Sequence, residues 1–93
     1  MPVFLDTETT GLYAGIDEVL QIGIVADDGR MLMDTLVRPI RVKEWPDAQD
    51  IHGIAPTDVV DAPTLVEVLP QLANILRGTK VVIYNVVRNS EQQ

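Results

Sequence analysis

Two carboxylates stand two residues apart near the N-terminus, directly after three bulky apolar residues. Asp6 and Glu8 follow Val3, Phe4 and Leu5 in the stretch VFLDTETTGL. Residues i and i+2 of a β-strand point to the same face, so the two carboxylates would project side by side. A cation between them would relieve their repulsion, and oxygen ligands suit Mg2+ or Mn2+. The spacing is compatible with a divalent-metal site, and the position near a strand end, where ligands of α/β sheets bind, favours it. The alternative is that the strand has reached solvent by Asp6 and the acids mark its end.

The elements that would position this pair are three strands at the start of the chain. Apolar runs predict strands at residues 3–7, 19–26 and 31–37. The segment DDGR at residues 27–30 contains a glycine that can adopt a positive φ. The second and third strands are therefore expected to form an antiparallel hairpin.

A helix is expected between residues 64 and 77, where apolar side chains recur at helical spacing. Thr64 and Glu67 match a capping box at its start. Pro70 removes one intrahelical hydrogen bond, so the helix either kinks there or begins near Leu69.

The last apolar run, KVVIY at residues 80–84, predicts a parallel strand buried on both faces. Before the helix, short helical turns are expected at residues 47–51 and 56–60. The order of elements implies a right-handed crossover helix that returns strand four beside strand one. The predicted fold is therefore α/β, a mixed sheet of three antiparallel strands and a fourth, parallel strand.

Length and composition favour one soluble domain. The chain has 93 residues, of which 46% are hydrophobic and 23% charged, which is typical of a folded domain. No apolar run approaches the roughly 20 residues of a membrane span, and no basic leader precedes an apolar segment, so export and membrane insertion are not expected. The absence of cysteine excludes disulfides and thiolate metal sites and favours the cytoplasm.

The net charge is −7. A protein that holds nucleic acid by Lys and Arg alone needs a positive surface, so that mode of binding is not expected. A nuclease whose divalent ions meet the phosphate is compatible with this acidity.

Several segments, in the same order along the chain, resemble the DEDD superfamily of 3′-to-5′ exonucleases, which contains the proofreading subunit of bacterial DNA polymerase III and RNase T. FLDTETTGL is similar to the first motif of that superfamily. The similarity continues through DEVLQIGIVADDG, VRPIRVKEWPDAQDIHGI and DAPTLVEVLPQLANIL to VVIYN, and covers most of residues 3–85. The resemblance implies an RNase H-like fold and hydrolysis of the terminal phosphodiester by two Mg2+ or Mn2+ ions, of which one activates water and the other stabilises the leaving oxygen.

The resemblance also implies roles for individual residues. Asp6 and Glu8 would be the catalytic metal ligands, and Leu12 would act as an apolar wedge against a base. His52, in IHGI, corresponds to a position near the bound 3′ nucleotide, although a lone His in a turn is otherwise an ordinary surface residue. The residues that would hold the terminal nucleotide are Thr9, Thr10, Gly11 and Leu12.

The second family motif, which follows strand four, is altered in this chain. Asn85 is retained, but Arg88 replaces a Phe and Asn89 replaces the metal-binding Asp. An Asn carbonyl brings no negative charge, and Arg88 adds a positive one. No segment corresponds to the third motif, which would supply a general-base His and the last Asp. Because losing one member of a catalytic unit costs orders of magnitude in rate, a self-sufficient exonuclease is not expected.

The segment from residue 86 to residue 93 turns abruptly polar, which suggests a truncated domain whose reading frame departs from an ancestral sequence. In the family, later helices cover the second face of the sheet. Without them, strands one and four would leave apolar side chains bare on that face. Self-association or a partner protein is therefore expected.

Three functions fit this sequence. The first is a metal-dependent 3′-to-5′ exonuclease-like domain that acts on nucleic-acid 3′ ends and is impaired or completed by another chain. The second is a catalytically inactive binding module that regulates or inhibits a nucleic-acid-processing complex. The third is a remnant that merely folds. Nothing in the sequence distinguishes DNA from RNA.

Overall fold

A computed structural model describes residues 1–84 of the chain. These residues form three strands, two short helical segments, a longer helix and a fourth strand. No helix within them is long and apolar enough to cross a membrane. The elements are β1 (Pro2–Thr9), β2 (Val19–Ala26), β3 (Met31–Leu36), α1 (Pro46–His52), a 3-10 turn (Pro56–Val59), α2 (Leu65–Leu76) and β4 (Lys80–Ile83).

The strands form a mixed sheet in the order β3-β2-β1-β4. β2 pairs antiparallel with both β1 and β3, while β4 pairs parallel with β1. The chain passes through α2 between β3 and β4, as a parallel connection requires. The predicted RNase H-like α/β arrangement is therefore confirmed over the described residues.

β1 continues three residues beyond Asp6, so Asp6 and Glu8 both lie inside the strand. The strand therefore does not end at the acids, although it has reached solvent by Asp6, which is exposed. The β1–β2 register shifts after Glu8, which pairs with Gln21, whereas Thr9 pairs with Val19. Such irregularities raise the local twist of a strand and are frequent beside functional sites.

The core lies on one face of the sheet, beneath α2. Val3 and Ile24 of the sheet and Val68 of α2 are buried together in it. Phe4, Asp6 and Glu8 alternate with Val3 along β1 and therefore point to the opposite face. We call the side of the sheet that carries these residues the carboxylate face. A second cluster packs α1 and its flanking turns on the end of β2 and contains Leu20, Trp45, Ile54 and Val59.

α2 begins at Leu65 and runs without a break through Pro70, so the predicted start near Leu69 is wrong. The predicted capping box explains the early start. The Thr64 N–H donates to Glu67 Oε1 at 2.9 Å, and Thr64 Oγ1 accepts from the Glu67 N–H at 3.4 Å. Pro70 forfeits the bond to the Val66 carbonyl, but Val66 is largely exposed, so water can satisfy that oxygen.

β4 is not buried on both faces, contrary to the expectation from its apolar sequence. Val81 and Val82 are half-buried and Ile83 is 64% exposed. Among residues 1–84, β4 has a neighbour only on its β1 side and forms an edge of the sheet. The apolar sequence of β4 is compatible with burial, but the burial of its side chains depends on which other elements cover the strand.

Candidate metal and nucleotide site

Asp6 and Glu8 lie side by side on the carboxylate face, with Asp6 exposed and Glu8 half-buried. Gly23 pairs with Asp6 on β2 and places no side chain beside it. The side-chain hydrogen bonds among residues 1–84 leave both carboxylates without a donor. The pair is therefore open on this face, and its oxygens accept no hydrogen bonds from side chains of the described residues.

The donor set fits a hard divalent ion held by few protein ligands. No group of three or more His, Cys, Asp or Glu side chains that could hold a metal occurs within residues 1–84. Mg2+ is commonly held by one or two carboxylates, with water and phosphate oxygens completing its shell. Asp6 and Glu8 supply two such carboxylates. Bound there, a divalent ion would stabilise negative charge at a phosphate and lower the pKa of a water.

Thr10 lies at the start of the β1–β2 loop and is buried, with 7% of its surface exposed. Its hydroxyl donates to Asp17 Oδ1 at 2.8 Å and accepts from the Glu18 N–H at 3.0 Å. Its own N–H donates to the Glu18 carbonyl at 2.8 Å. The Thr10 side chain is therefore bonded within the loop, and its contribution to a nucleotide site would be the loop shape that it fixes.

Gly11 leaves room for the Asp17 carboxylate. A Cβ at residue 11 would lie 2.5 Å from Asp17 Oδ2, so the Asp17 carboxylate would have to move. The hydroxyl of Thr9 also bonds to this glycine and donates to the Gly11 carbonyl at 2.6 Å. The TTG sequence thus bends the chain directly beyond Glu8.

Leu12 lies beyond this turn and is 71% exposed. Tyr13 and Ile16, on the same loop, are also exposed. An apolar side chain in this position is accessible to a base, so its role as a wedge stays a prediction compatible with its place.

His52 at the end of α1 reaches the end of β1. Its Nε2 lies 3.0 Å from the Thr9 carbonyl, and its Nδ1 accepts from the Ile54 N–H at 3.1 Å. Because Nδ1 accepts, Nε2 carries the hydrogen and donates to Thr9. His52 is therefore not an ordinary surface residue. It is half-buried and ties α1 to the strand that carries Asp6 and Glu8.

Glu18 is a structural residue of this site that the sequence analysis did not identify. Its carboxylate accepts from the N–H groups of Ile40 at 2.9 Å, Arg41 at 2.8 Å and Val42 at 2.7 Å. Burial raises the pKa of Glu18, but these three N–H groups and the Arg41 charge outweigh burial and hold the pKa below its ordinary value of 4.5. Glu18 thereby attaches the segment after β3 to the loop that Thr10 closes.

Replacing Glu18 with Gln is expected to lower the free energy of unfolding at pH 7 by about 1–2 kcal/mol, because charge-assisted bonds to backbone N–H groups are lost. A carboxylate whose pKa is lowered by folding stabilises the protein above its unfolded pKa, and that stability disappears as the pH falls through its folded pKa. Urea unfolding at pH 7, 5 and 4 should therefore show a difference between the two proteins that is largest at pH 7 and smaller at pH 4. Glu44→Gln, at an exposed position, is the control and should match the original protein. A difference for Glu18→Gln that does not change with pH would contradict this role.

Asn85, Arg88 and Asn89, which form the altered second motif, lie outside the described residues.

The sequence did not reveal the roles of Asp17 and Glu18, because two acids before a strand are usually solvated and their partners could not be inferred from local spacing. Glu18 bonds residues more than 20 positions away.

The family model described as exonuclease, RNase T, matches residues 3–93. The chain belongs to this exonuclease family. It is 34% identical over 93 residues to DNA polymerase III subunit epsilon of Escherichia coli, with 89% of this chain and 37% of that protein covered. It is 39% identical over 85 residues to the uncharacterized exonuclease CP81 of Escherichia phage 186, with 89% and 42% covered. A third relative, the PolC-type DNA polymerase III of Thermotoga maritima, is 34% identical over 86 residues, which cover 89% of this chain and 6% of that protein. The chain thus spans less than half the length of each of these relatives.

Proposed function

We propose that this chain is a metal-dependent 3′-to-5′ exonuclease-like domain that acts on nucleic-acid 3′ ends in the cytoplasm. Asp6 and Glu8 share Mg2+ or Mn2+, and the scissile phosphate binds at that position. The observation that carries this proposal is the pair itself, two carboxylates on one open face without hydrogen-bond donors from residues 1–84. The exonuclease family to which the chain belongs supports this assignment.

The remaining site residues hold the end of the substrate. Thr9, Thr10 and Gly11 form a bend beyond Glu8 that side-chain hydrogen bonds hold, and Leu12 follows it as the wedge against the terminal base. His52 positions the Thr9 carbonyl and hence the path of this turn. The preformed loop lowers the entropy cost of binding a nucleotide.

Full activity requires further ligands. With two carboxylates and no third metal-ligating side chain near them within residues 1–84, the described part of the chain cannot fill two metal sites. We propose that a further carboxylate and a general base lie outside residues 1–84, and that without them hydrolysis is slow.

The second candidate function is a catalytically inactive binding module that regulates or inhibits a nucleic-acid-processing complex. The observation that favours it is the sequence of the second motif, where Asn89 offers no charge to a metal. Such a module would bind a 3′ end through Asp6 and Glu8 but would not cleave it.

Incubation with a 5′-labelled single-stranded oligonucleotide and Mg2+ or Mn2+ separates the two functions. A ladder of products that disappears in Asp6→Ala supports the exonuclease, and metal-dependent binding without a ladder supports the module. If the protein showed no cleavage and no metal-dependent binding, both functions would be rejected.

The apolar end of the carboxylate face leads to a separate expectation. Phe4 and Val82 pair across β1 and β4 and are only half-buried. We propose that a second copy or a partner protein covers the Val82 side of this end and leaves Asp6, Glu8 and the ring of Tyr84 open. Sedimentation velocity over a concentration series of about 1–100 µM should show a dimer. Val82→Thr should weaken that dimer. A strictly monomeric profile would reject self-association.

A further inference from the structure

The aromatic residues of this chain are few, and their placement is uneven. The sequence contains one Trp, one Phe and two Tyr. Trp45 is buried in the second cluster, where its Nε1 donates to the Ile54 carbonyl at 2.7 Å. The two tyrosines, in contrast, are 70% exposed at Tyr13 and 56% exposed at Tyr84. Large aromatic side chains left in solvent are a feature of binding surfaces.

Tyr13 has a fixed backbone and an exposed ring. Its N–H donates to Asp17 Oδ2 at 3.0 Å. Its carbonyl accepts from the N–H groups of Ile16 at 3.1 Å and Asp17 at 2.9 Å. The exposed ring is therefore carried by a hydrogen-bonded turn in the loop that follows Glu8 along the chain. Ordering before binding lowers the entropy cost of a stacking contact.

Tyr84 lies on the other side of the pair. Its N–H donates to the Leu5 carbonyl at 2.7 Å, which places Tyr84 alongside Asp6. Its ring stacks on Phe4, with centroids 5.8 Å apart and planes inclined by 15°. Because Phe4 and Asp6 point to the same face of β1, the Tyr84 ring lies on the carboxylate face. Phe4 supports one side of the ring, and more than half of the residue is open to solvent.

We propose that Tyr13 and Tyr84 stack on nucleobases of a single-stranded 3′ end, one beyond Glu8 and the other beside Asp6. The inference rests on the proposed function and specifies how the substrate is held. A chain with 14 acidic and seven basic residues gains little affinity from counterion release. Stacking on aromatic rings is independent of charge and contributes about five- to hundredfold in affinity per base. The tyrosines thus supply what the acidic surface lacks.

The test uses an oligothymidylate that carries the fluorescent base 2-aminopurine at its 3′-terminal, second or third position. Ca2+ replaces Mg2+ so that binding can be followed without appreciable cleavage. Stacking quenches this fluorophore. Quenching should occur in at least two of the three probes, and Tyr13→Ala and Tyr84→Ala should each remove it from one of them. Each variant should also raise Kd about tenfold.

Matched variants separate the ring from the hydroxyl and from packing. Tyr13→Phe and Tyr84→Phe keep the ring and should bind within about twofold of the original protein. Tyr84→Leu keeps an apolar contact with Phe4, so it should preserve the fold and still lose the quenching. Val66→Ala, which removes an exposed apolar side chain on α2, should change nothing. The logarithm of the association constant should fall with the logarithm of salt concentration with a slope no steeper than about −2.

Unchanged quenching and Kd in Tyr13→Ala and Tyr84→Leu, together with lost binding in Asp6→Asn, would overturn this inference and leave the proposed function intact. The inference would also be overturned if Tyr13→Ala and Tyr84→Leu abolished a protein–protein contact and left oligonucleotide binding unchanged. Metal-dependent binding that Asp6→Asn does not affect would reject the proposed function itself. A salt slope of about −4 or steeper would also contradict the inference, because it would indicate a cationic binding surface.

Discussion

Asp6→Asn is expected to weaken manganese binding by about hundredfold or more and to abolish metal-dependent binding of a nucleic-acid 3′ end. The carboxamide keeps the size of the side chain but removes the negative charge with which Asp6, together with Glu8, would bind the cation. Altering a residue that merely orients a ligand costs about 10- to 100-fold in metal affinity, so losing a ligand should cost at least the upper figure. Isothermal titration with Mn2+ measures the first effect, and fluorescence anisotropy of a labelled oligonucleotide with Mn2+ or with a chelator measures the second.

Asp34→Asn is the matched control. Asp34 is an exposed carboxylate on the same sheet, separated from Asp6 by Gly23, and it contacts Gln21 at 3.4 Å. Removing its charge changes the net charge by the same amount as Asp6→Asn, so any general electrostatic effect would be equal in the two variants. Equal losses in both would show that the site is not specific to the Asp6–Glu8 pair.

Gly11→Ala is expected to disrupt the nucleotide loop. A Cβ there would collide with the Asp17 carboxylate, which holds both the Thr10 hydroxyl and the Tyr13 N–H. Displacing it breaks both bonds and leaves a buried hydroxyl without its acceptor, which should cost about 1–3 kcal/mol in the free energy of unfolding. Urea unfolding measures this loss. Oligonucleotide binding should also weaken by about tenfold, because the loop no longer positions Leu12.

Gly23→Ala provides the control for this substitution. A Cβ at Gly23 would lie 3.9 Å from its nearest neighbour, the Asp6 carbonyl oxygen, which is an ordinary contact. That variant should keep its stability although it lies beside Asp6. If Gly11→Ala were as stable as Gly23→Ala, the loop would not depend on the Asp17 contact.

The placement of the carboxylate pair could be predicted because it depends on local geometry alone. Alternation along a strand sets the relation between Asp6 and Glu8 wherever that strand lies in a fold. The capping box at Thr64 and Glu67 is local in the same sense, and the structure confirms it. Pro70 shows the limit of a local rule, since one missing hydrogen bond is tolerated where water can reach the freed carbonyl.

Features that depend on distant residues could not be predicted. The burial of Thr10 requires Asp17 and Glu18, and Glu18 in turn requires the backbone at residues 40–42. His52 meets Thr9 only because α1 folds back on the end of β1. The exposure of β4 is likewise set by what lies beside it, which an apolar sequence does not reveal.

The most direct test of a shared metal site is anomalous diffraction from crystals soaked in manganese chloride. We expect a manganese peak on the carboxylate face, with carboxylate oxygens of both Asp6 and Glu8 about 2.0–2.6 Å from it. Manganese peaks elsewhere on the molecule, with none within reach of these two side chains, would contradict the account.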